Sequence, residues 1–485
     1  MKKPIVWTIA GSDSGGGAGI QADLHTFQAL NAFGCSVITT ITAQNSQAVT
    51  DVYYLPATQI AAQLAALQND LAPTAIKLGL LGDHAALILL TDFLQNYSGK
   101  IICDPVMVSS SGQELLSAVS KQQLLENILP LAYLVTPNLP EAEIISGLAI
   151  KNPDDIVKAA NKILTLGPKN VLIKGGHATD NDFCQDYWAN GKEAFWLTNK
   201  KLPHSNTHGS GCTLSAAITA CLAQGYDLKD ALVIAKMYVT QGIRLAQQFG
   251  SGPGPVAHSS WPETFADLPY LTTDPVIATT SFASCGNTPL GLYPVVDRST
   301  WLTKLLPLGV STIQLRIKDL TGTALENEII TAIDLANKFN ARLFINDYWQ
   351  LAIKHRAYGV HLGQEDLATA DIQAIKAAGL RLGISTHCYY EVAHAHALQP
   401  SYLACGPIFP TQSKLMPFLP QGISQLIRWR KTLDYPLVAI GGINLSNFSD
   451  VVATGVEGIA MISAITNASN PTASARELIN LWRHQ

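Results

Sequence analysis

Short apolar runs alternate with stretches of helical spacing through the second half of the chain. The runs are 291–297, 312–318, 342–347, 359–362, 381–386, 402–409, 436–443 and 458–464, eight in all. Most of the intervening stretches, such as 325–339 and 367–378, repeat apolar residues at the spacing of an amphipathic helix. Runs that are apolar throughout predict strands buried on both faces, as in parallel sheets. Eight strand–helix units in about 200 residues predict a compact TIM (β/α)8 barrel. An open doubly wound sheet has a similar composition. The polar residues that end nearly every run favour the barrel, which gathers its function at the C-terminal ends of its strands.

The first half also alternates strand-like and helix-like runs, starting with the apolar run Ile5–Ala10, so the whole chain reads as α/β. Between the halves, Ser251–Asn287 is rich in Pro, Gly, Ser and Thr and keeps no period, which predicts loop and linker. The expected division is a first domain over 1–268, a linker over 269–288 and a second domain over 289–485. At 485 residues the chain is too long for one core.

Composition narrows the function. The chain is 47% hydrophobic and 14% charged, with a net charge of −4 and no basic block, which argues against a nucleic-acid partner. No run is long enough to span a membrane, and Ile5–Ala10 is too short for the apolar part of a signal peptide. Eight scattered cysteines without a CxxC pair point to a reducing cytoplasm, not to a disulfide scaffold or a zinc site. The expectation is a cytoplasmic enzyme acting on small molecules, with self-association into a homo-oligomer left open.

The candidate chemistry of the second half lies at its strand tips. Asp347 closes the third run and Asp366 follows the fourth, a carboxylate pair suited to a hard cation such as magnesium. Gln314, Arg316 and Lys318 alternate onto one face of the second run, where two cations call for an anion. Gly441-Gly442 and Ile462-Ser463 follow runs seven and eight, where barrels commonly hold a phosphate on backbone N–H groups.

In the first half, Gly17-Ala18-Gly19-Ile20-Gln21-Ala22 fits a dinucleotide fingerprint, but Ala43-Gln44-Asn45 stands where its acid should be, and no P-loop Lys follows. A loop closing over a small substrate is the better reading. His208-Gly209-Ser210-Gly211-Cys212-Thr213 precedes a helical stretch and predicts an anion hole, with the helix dipole favouring a thiolate at Cys212. Asp104, Asn138, Glu141 and Lys174 collect at strand ends, as a phosphoryl donor with magnesium would require.

These motifs carry two resemblances. From about Leu290 onward the chain resembles thiamine phosphate synthase, through Gln314–Lys318, Ile345-Asn346-Asp347, Gly359–Asp366, Gly406–Lys414 and Ala439–Ile443. The resemblance implies condensation of hydroxymethylpyrimidine diphosphate with a thiazole phosphate, giving thiamine phosphate and pyrophosphate. It implies pyrimidine diphosphate on Gln314, Arg316, Lys318, Asn346, Ser385 and Lys414, with Arg316 and Lys414 catalytic. The thiazole phosphate is implied on Thr411, Gln412, Ser413, Gly442, Ile462 and Ser463, and magnesium on Asp347 and Asp366. Ser413 stands where that family usually has Thr.

Residues from about Pro4 to Gly250 resemble the hydroxymethylpyrimidine and phosphomethylpyrimidine kinase of the ribokinase-like superfamily, which implies an α/β/α domain. The resemblance rests on Thr8–Asp23, Ala43-Gln44-Asn45, Asp104–Met107, Thr136–Glu141, Lys174–His177 and His208–Thr213. It implies pyrimidine on Gly11, Asp23, Gln44 and Val106, and ATP with magnesium on Asn138, Glu141 and Lys174. It further implies an anion hole at Gly209, Ser210 and Gly211, with Cys212 and Lys174 catalytic. Ser210 replaces the usual Thr and Leu80 the usual Met. The implied chain makes the pyrimidine diphosphate from ATP and then consumes it. The rival readings are a pyridoxal or sugar kinase fused to another phosphate-binding barrel, and a sensor with dead sites.

Overall fold

The computed structural model describes residues 2–108, 114–176, 182–277, 280–411 and 418–483. The chain divides into two compact units, Met1–Pro262 with Ala266–Ile277, and Glu263–Phe265 with Ala278–Gln485.

The first unit is built on a ten-stranded sheet. Its strands are β1 (Ile5–Asp13), β2 (Phe33–Gln44), β3 (Val49–Tyr54), β4 (Ala75–Leu78), β5 (Lys100–Cys103), β6 (Leu134–Val135), β7 (Val171–Ile173), β8 (Phe183–Ala189), β9 (Ala194–Lys200) and β10 (Tyr270–Thr272). Their order is β10-β9-β8-β7-β6-β5-β4-β1-β2-β3. The strands from β7 to β2 run parallel, and β3, β8, β9 and β10 are antiparallel to their neighbours. The chain leaves β1 for β2 on one side and returns to β4 on the other. Such a reversal opens a crevice at the C-terminal ends of the strands. Four helices position the site: α1 (Gly19–Ala29), α2 (Leu139–Ser146), α3 (Ser210–Ala223) and α4 (Leu228–Arg244). Helix α3 is buried from Thr213 to Leu222 between α1, α4 and the strands β1, β4 and β5, so its N-terminus is held rigidly at the crevice.

The second unit is a closed barrel of eight parallel strands: β11 (Gly291–Val296), β12 (Thr312–Leu315), β13 (Arg342–Asn346), β14 (Gly359–Leu362), β15 (Arg381–Thr386), β16 (Tyr402–Cys405), β17 (Leu437–Ile440) and β18 (Gly458–Met461). Closure comes from β11 pairing with both β12 and β18. Large side chains fill the interior because glycines on neighbouring strands leave them room. A Cβ on Gly383 would lie 2.1 Å from the Tyr402 ring, and one on Gly359 2.6 Å from the Phe344 ring. Tyr293, Val295, Phe344, Tyr402, Ala404, Val438 and Ala460 share this core.

Two expectations are revised. Strand β12 stops at Leu315, so Gln314 is buried in the barrel while Arg316 is half-buried and Lys318 stands exposed on the following loop. Lys318 keeps its charge hydrated there and so avoids the cost of an interior cation. The segment 269–288 is also shared out: Tyr270–Thr272 adds the edge strand β10 to the first sheet, and Phe282 and Cys285 are buried within the second unit. Its loop-like composition concealed these few anchoring residues.

Candidate active sites

In the first unit the loop after β1 is organised by Asp13. Its carboxylate accepts hydrogen bonds from the N–H groups of Gly15 (2.7 Å), Gly17 (3.1 Å) and Ala18 (2.9 Å). His208 Nε2 lies 3.2 Å from the same carboxylate and 3.4 Å from Gln44 Nε2. Burial alone would raise the Asp13 pKa; hydrogen bonds from His208 and Gly15 more than offset this and leave it below the ordinary carboxylate value. The glycine loop therefore lies directly on the segment leading into α3. Gly209 sits at φ +77°, and a Cβ there would come 1.9 Å from the Gly17 carbonyl oxygen. Gly209 thus enters α3 with its backbone in close contact with the β1 loop, while Gly211 faces Lys174 and Asp104.

Beneath that loop lies a fully buried ion pair. Lys77 Nζ donates to Asp23 Oδ2 at 2.8 Å, Thr8 Oγ1 donates to the same oxygen at 2.6 Å, and Lys77 and Asp23 are both 0% exposed. Asp23 Oδ1 has no partner among the described residues. Burial raises the Asp23 pKa despite Lys77. Lys77 went unnoticed in the sequence, although a lysine inside the buried run Ala75-Ile76-Lys77-Leu78 was the signal.

Cys212 stands in the first turn of α3, but the expected thiolate is not favoured. Burial pushes its pKa up to about 11, against the opposing pull of Lys77 and a hydrogen bond from the Gly19 N–H. Desolvation of the charged form outweighs the helix terminus. Burial therefore works against a thiolate at Cys212.

On the neighbouring strand ends, Lys174 Nζ donates to Asp104 Oδ1 at 2.7 Å. A Cβ on Gly211 would meet Lys174 Nζ at 3.0 Å, so the amine lies under the start of α3. Asn138 and Glu141 form a reciprocal capping box at α2, with N–H to carboxylate at 2.8 Å and N–H to amide oxygen at 2.9 Å. Burial pushes Glu141 up to about 7, with Asp104 adding to the rise and Lys174 opposing it. Lys174 is drawn down by burial, but Asp104 and Glu141 reverse this and hold it above its ordinary value. Gly11 lies at a register shift in β1, close to Leu80, and half-buried Val106 donates its N–H to Asp104 O at 2.8 Å.

In the barrel the expected residues gather at the C-terminal end. Asn346 ends β13, and Asp347 follows with φ +64°, a conformation unusual for a residue with a side chain. Lys318 Nζ donates to Asp347 Oδ2 at 2.5 Å. Asp366, in the first turn after β14, accepts the Gly363 N–H at 3.3 Å. Burial raises the Asp366 pKa, and the charge of Asp347 and a hydrogen bond with it add to the rise. The two carboxyls therefore face one another. Ser385 on β15 lies 2.9 Å from His361 Nε2. Gly442 sits at φ +68° with Pro410 close enough that a Cβ would stand 2.6 Å from its carbonyl oxygen. Ile462 and Ser463 follow β18 directly, and Thr411 follows Pro410. Gln412, Ser413 and Lys414 lie outside the described residues.

Two neighbouring carboxyls supply oxygen donors that fit a divalent cation, and Lys318 occupies Asp347 Oδ2 in this structure. Among the described residues no group of three or more His, Cys, Asp or Glu could hold a metal. Magnesium is commonly held by one or two carboxylates together with substrate phosphates, so the pair alone is sufficient.

Comparison with known proteins decides what these sites belong to. A family model described as phosphomethylpyrimidine kinase matches residues 13–257, and one described as thiamine monophosphate synthase matches residues 292–465. The second region is 58% identical to a thiamine-phosphate synthase from Salmonella dublin over 193 residues, covering 40% of this chain and 92% of that one. The chain belongs to both families.

Among solved structures, a Bacillus subtilis pyridoxal kinase in complex with ADP is 38% identical, with a TM-score of 0.51, covering 53% of this chain and 98% of that one. A phosphomethylpyrimidine kinase from Clostridium difficile is 42% identical, covering 50% of this chain and all of that one, with a TM-score of 0.45. The first unit is thus a phosphomethylpyrimidine kinase domain with a ribokinase-like α/β sheet, and the second is a thiamine phosphate synthase barrel. The chain is a bifunctional transferase of thiamine biosynthesis. The two families imply ATP as phosphoryl donor and usually magnesium. No helix among the described residues is long and apolar enough to cross a membrane.

Besides Lys77, sequence reasoning passed over His208 with Asp13, and Tyr293, Tyr402 and His361 inside the barrel. His208 stands in the quoted motif, but nothing local showed that its ring meets Asp13 and Gln44. Tyr293 and Tyr402 gave no local signal, because each looks like ordinary core in its own run, whereas His361 inside Gly359–Leu362 gave the same kind of signal as Lys77.

Proposed function

We propose that the kinase domain phosphorylates hydroxymethylpyrimidine and then its monophosphate, and that the barrel condenses the resulting diphosphate with thiazole phosphate. In the kinase, Gly11, Gln44 and Val106 would face the pyrimidine. Asp23, wholly enclosed and held by Lys77 and Thr8, would support that pocket from beneath. The N–H groups of Gly209, Gly211 and Cys212 at the start of α3 would hold the transferring phosphoryl group, whereas the Ser210 N–H donates to the Thr207 carbonyl oxygen at 3.1 Å. Lys174 would neutralise phosphate charge. Asn138 and Glu141, with Asp104 beside them, would serve the magnesium side. Cys212, as a thiol, would hydrogen-bond the substrate oxygen that attacks the γ-phosphorus, with ADP as leaving group; the first phosphorylation releases the proton of the hydroxyl, and the second, at a phosphate oxygen, releases none.

In the barrel, the bond between the pyrimidine methylene carbon and the diphosphate breaks, the thiazole nitrogen bonds to that carbon, and pyrophosphate leaves. Charge builds up on the diphosphate, so Arg316, Lys318 and Lys414 would stabilise it. Asp347 and Asp366 would hold magnesium, which supplies further positive charge to the leaving group. Gln314, Asn346 and Ser385 would orient the pyrimidine. Thr411, Gln412, Ser413, Gly442, Ile462 and Ser463 would hold the thiazole phosphate. The observation that carries this reading is the Asp347–Asp366–Lys318 cluster at the mouth of a barrel matched along most of its length to thiamine phosphate synthases. Both families are biosynthetic and none of the eight cysteines is in a disulfide, which supports work in the cytoplasm.

The test supplies hydroxymethylpyrimidine, ATP, magnesium and thiazole phosphate and looks for thiamine phosphate. A second arm replaces hydroxymethylpyrimidine and ATP with the diphosphate, and a third offers pyridoxal to the kinase. Failure of the second arm would remove the synthase reading. Faster phosphorylation of pyridoxal than of hydroxymethylpyrimidine would favour the pyridoxal-kinase reading. Cys212→Ala should slow both phosphorylations by about tenfold, the worth of one hydrogen bond to the attacking oxygen.

A further inference from the structure

A line of hydrogen bonds crosses the inside of the barrel. Gln314 Nε2 lies 3.5 Å from Tyr293 Oη, Tyr293 Oη 2.8 Å from Tyr402 Oη, Tyr402 Oη 2.7 Å from His361 Nδ1, and His361 Nε2 2.9 Å from Ser385 Oγ. Tyr293 and Tyr402 are 1% and 0% exposed and His361 is 6% exposed, so water does not interrupt the line. The two ends, Gln314 and Ser385, come from strands that are not neighbours in the barrel.

The line has a direction. An amide nitrogen can only donate, so Gln314 gives a hydrogen to Tyr293 Oη. The Tyr293 hydroxyl hydrogen then goes to Tyr402 Oη, its acceptor among the described residues. The Tyr402 hydrogen goes to His361 Nδ1. A ring that accepts at Nδ1 carries its hydrogen on Nε2 and donates it to Ser385 Oγ. A doubly protonated ring would also donate from Nε2, so Ser385 accepts in either state. Ser385 Oγ has no other hydrogen-bond partner among the described residues. Its own hydrogen is left for a ligand.

We propose that His361, oriented by Tyr402 and Tyr293, is a positioning residue that fixes Ser385 as a hydrogen-bond donor to a ring nitrogen of the pyrimidine substrate. This rests on the reading that Ser385 belongs to the pyrimidine site. The recognition is of a lone pair on an aromatic nitrogen, so a ring carrying C–H there is rejected. His361 acts through Ser385 and does not touch the substrate.

The experiment is a double-mutant cycle on the full chain, with synthase kinetics measured for each substrate. His361→Leu should raise the KM for the pyrimidine diphosphate about tenfold, the worth of one hydrogen bond, and leave the KM for thiazole phosphate nearly unchanged. Ser385→Ala should do the same, and the double variant should be no worse than Ser385→Ala alone. His361→Gln, whose amide nitrogen reaches toward the position of Nε2, should restore most of the loss. Tyr402→Phe frees His361 to take the other tautomer and should give an intermediate KM. Additive effects in the cycle, equal changes in both KM values, or equal values for the Leu and Gln variants would each overturn the proposal. If the Leu variant does not fold, as shown by loss of its kinase rates and its thermal transition, the Gln and Phe variants decide. Lack of wild-type turnover would instead refute the functional reading beneath it.

Discussion

Lys77 and Asp23 show how much a single side chain can carry. Both are wholly enclosed, so each charge depends on the other for stabilisation. Lys77→Met should destabilise the first unit by about 3–5 kcal/mol, the cost of leaving a buried carboxylate unpaired. Urea unfolding would measure it, and adding Asp23→Leu should recover part of the loss, because removing both charges removes the penalty. His258 supplies a pH dependence. Burial, helped by nearby His25, lowers its pKa from 6.5 to about 4. Its unfolded form takes up a proton at higher pH than its folded form, so the first unit should hold this stability above pH 6.5 and lose it as pH falls through about 4. The full shift corresponds to about 3 kcal/mol, and partial exposure of the ring brings the expected effect nearer 1–2 kcal/mol. His258→Leu should flatten the dependence of the urea midpoint on pH across that window. At Asp347 the backbone chooses the variant: φ +64° suits Asn better than Ala, so Asp347→Asn removes charge with the least disturbance of the chain.

At the scale of elements, the β1 loop and the start of α3 behave as one part, because Gly17 and Gly209 touch through backbone alone. Gly209→Ala adds a clash at 1.9 Å and a side chain at positive φ. It should abolish both phosphorylations and leave thiamine phosphate formation from supplied diphosphate at the wild-type rate, as followed by chromatography of the products. The eight barrel strands were legible because parallel strands are buried on both faces and write themselves as apolar runs. Asp347 and Asp366 were legible because each ends such a run. Lys77 and Asp23, by contrast, meet across 54 positions of sequence, and Tyr402 reaches His361 across 41. No local pattern registers contacts of that kind. The end of β12 was misplaced because Ile317 is buried and prolongs the apolar run beyond the point where the strand stops. At Cys212 the sequence displays a helix terminus but not the depth of burial that works against a thiolate.

For the whole molecule, the two units carry separate chemistry, and each site is built within its own unit. Asp347→Asn should therefore abolish thiamine phosphate formation while both kinase steps continue. Phosphorus NMR of a reaction given hydroxymethylpyrimidine and ATP should show the pyrimidine diphosphate accumulating with full consumption of two ATP per pyrimidine. Loss of kinase turnover in that variant would show that the units depend on one another. Having both units on one polypeptide has a further consequence. Every chain brings one kinase and one synthase into the cell, so changes in expression alter the amount of both together and never their ratio. The steady-state level of the diphosphate is then governed by the turnover numbers and substrate affinities of the two sites, and a mutation in either one resets it.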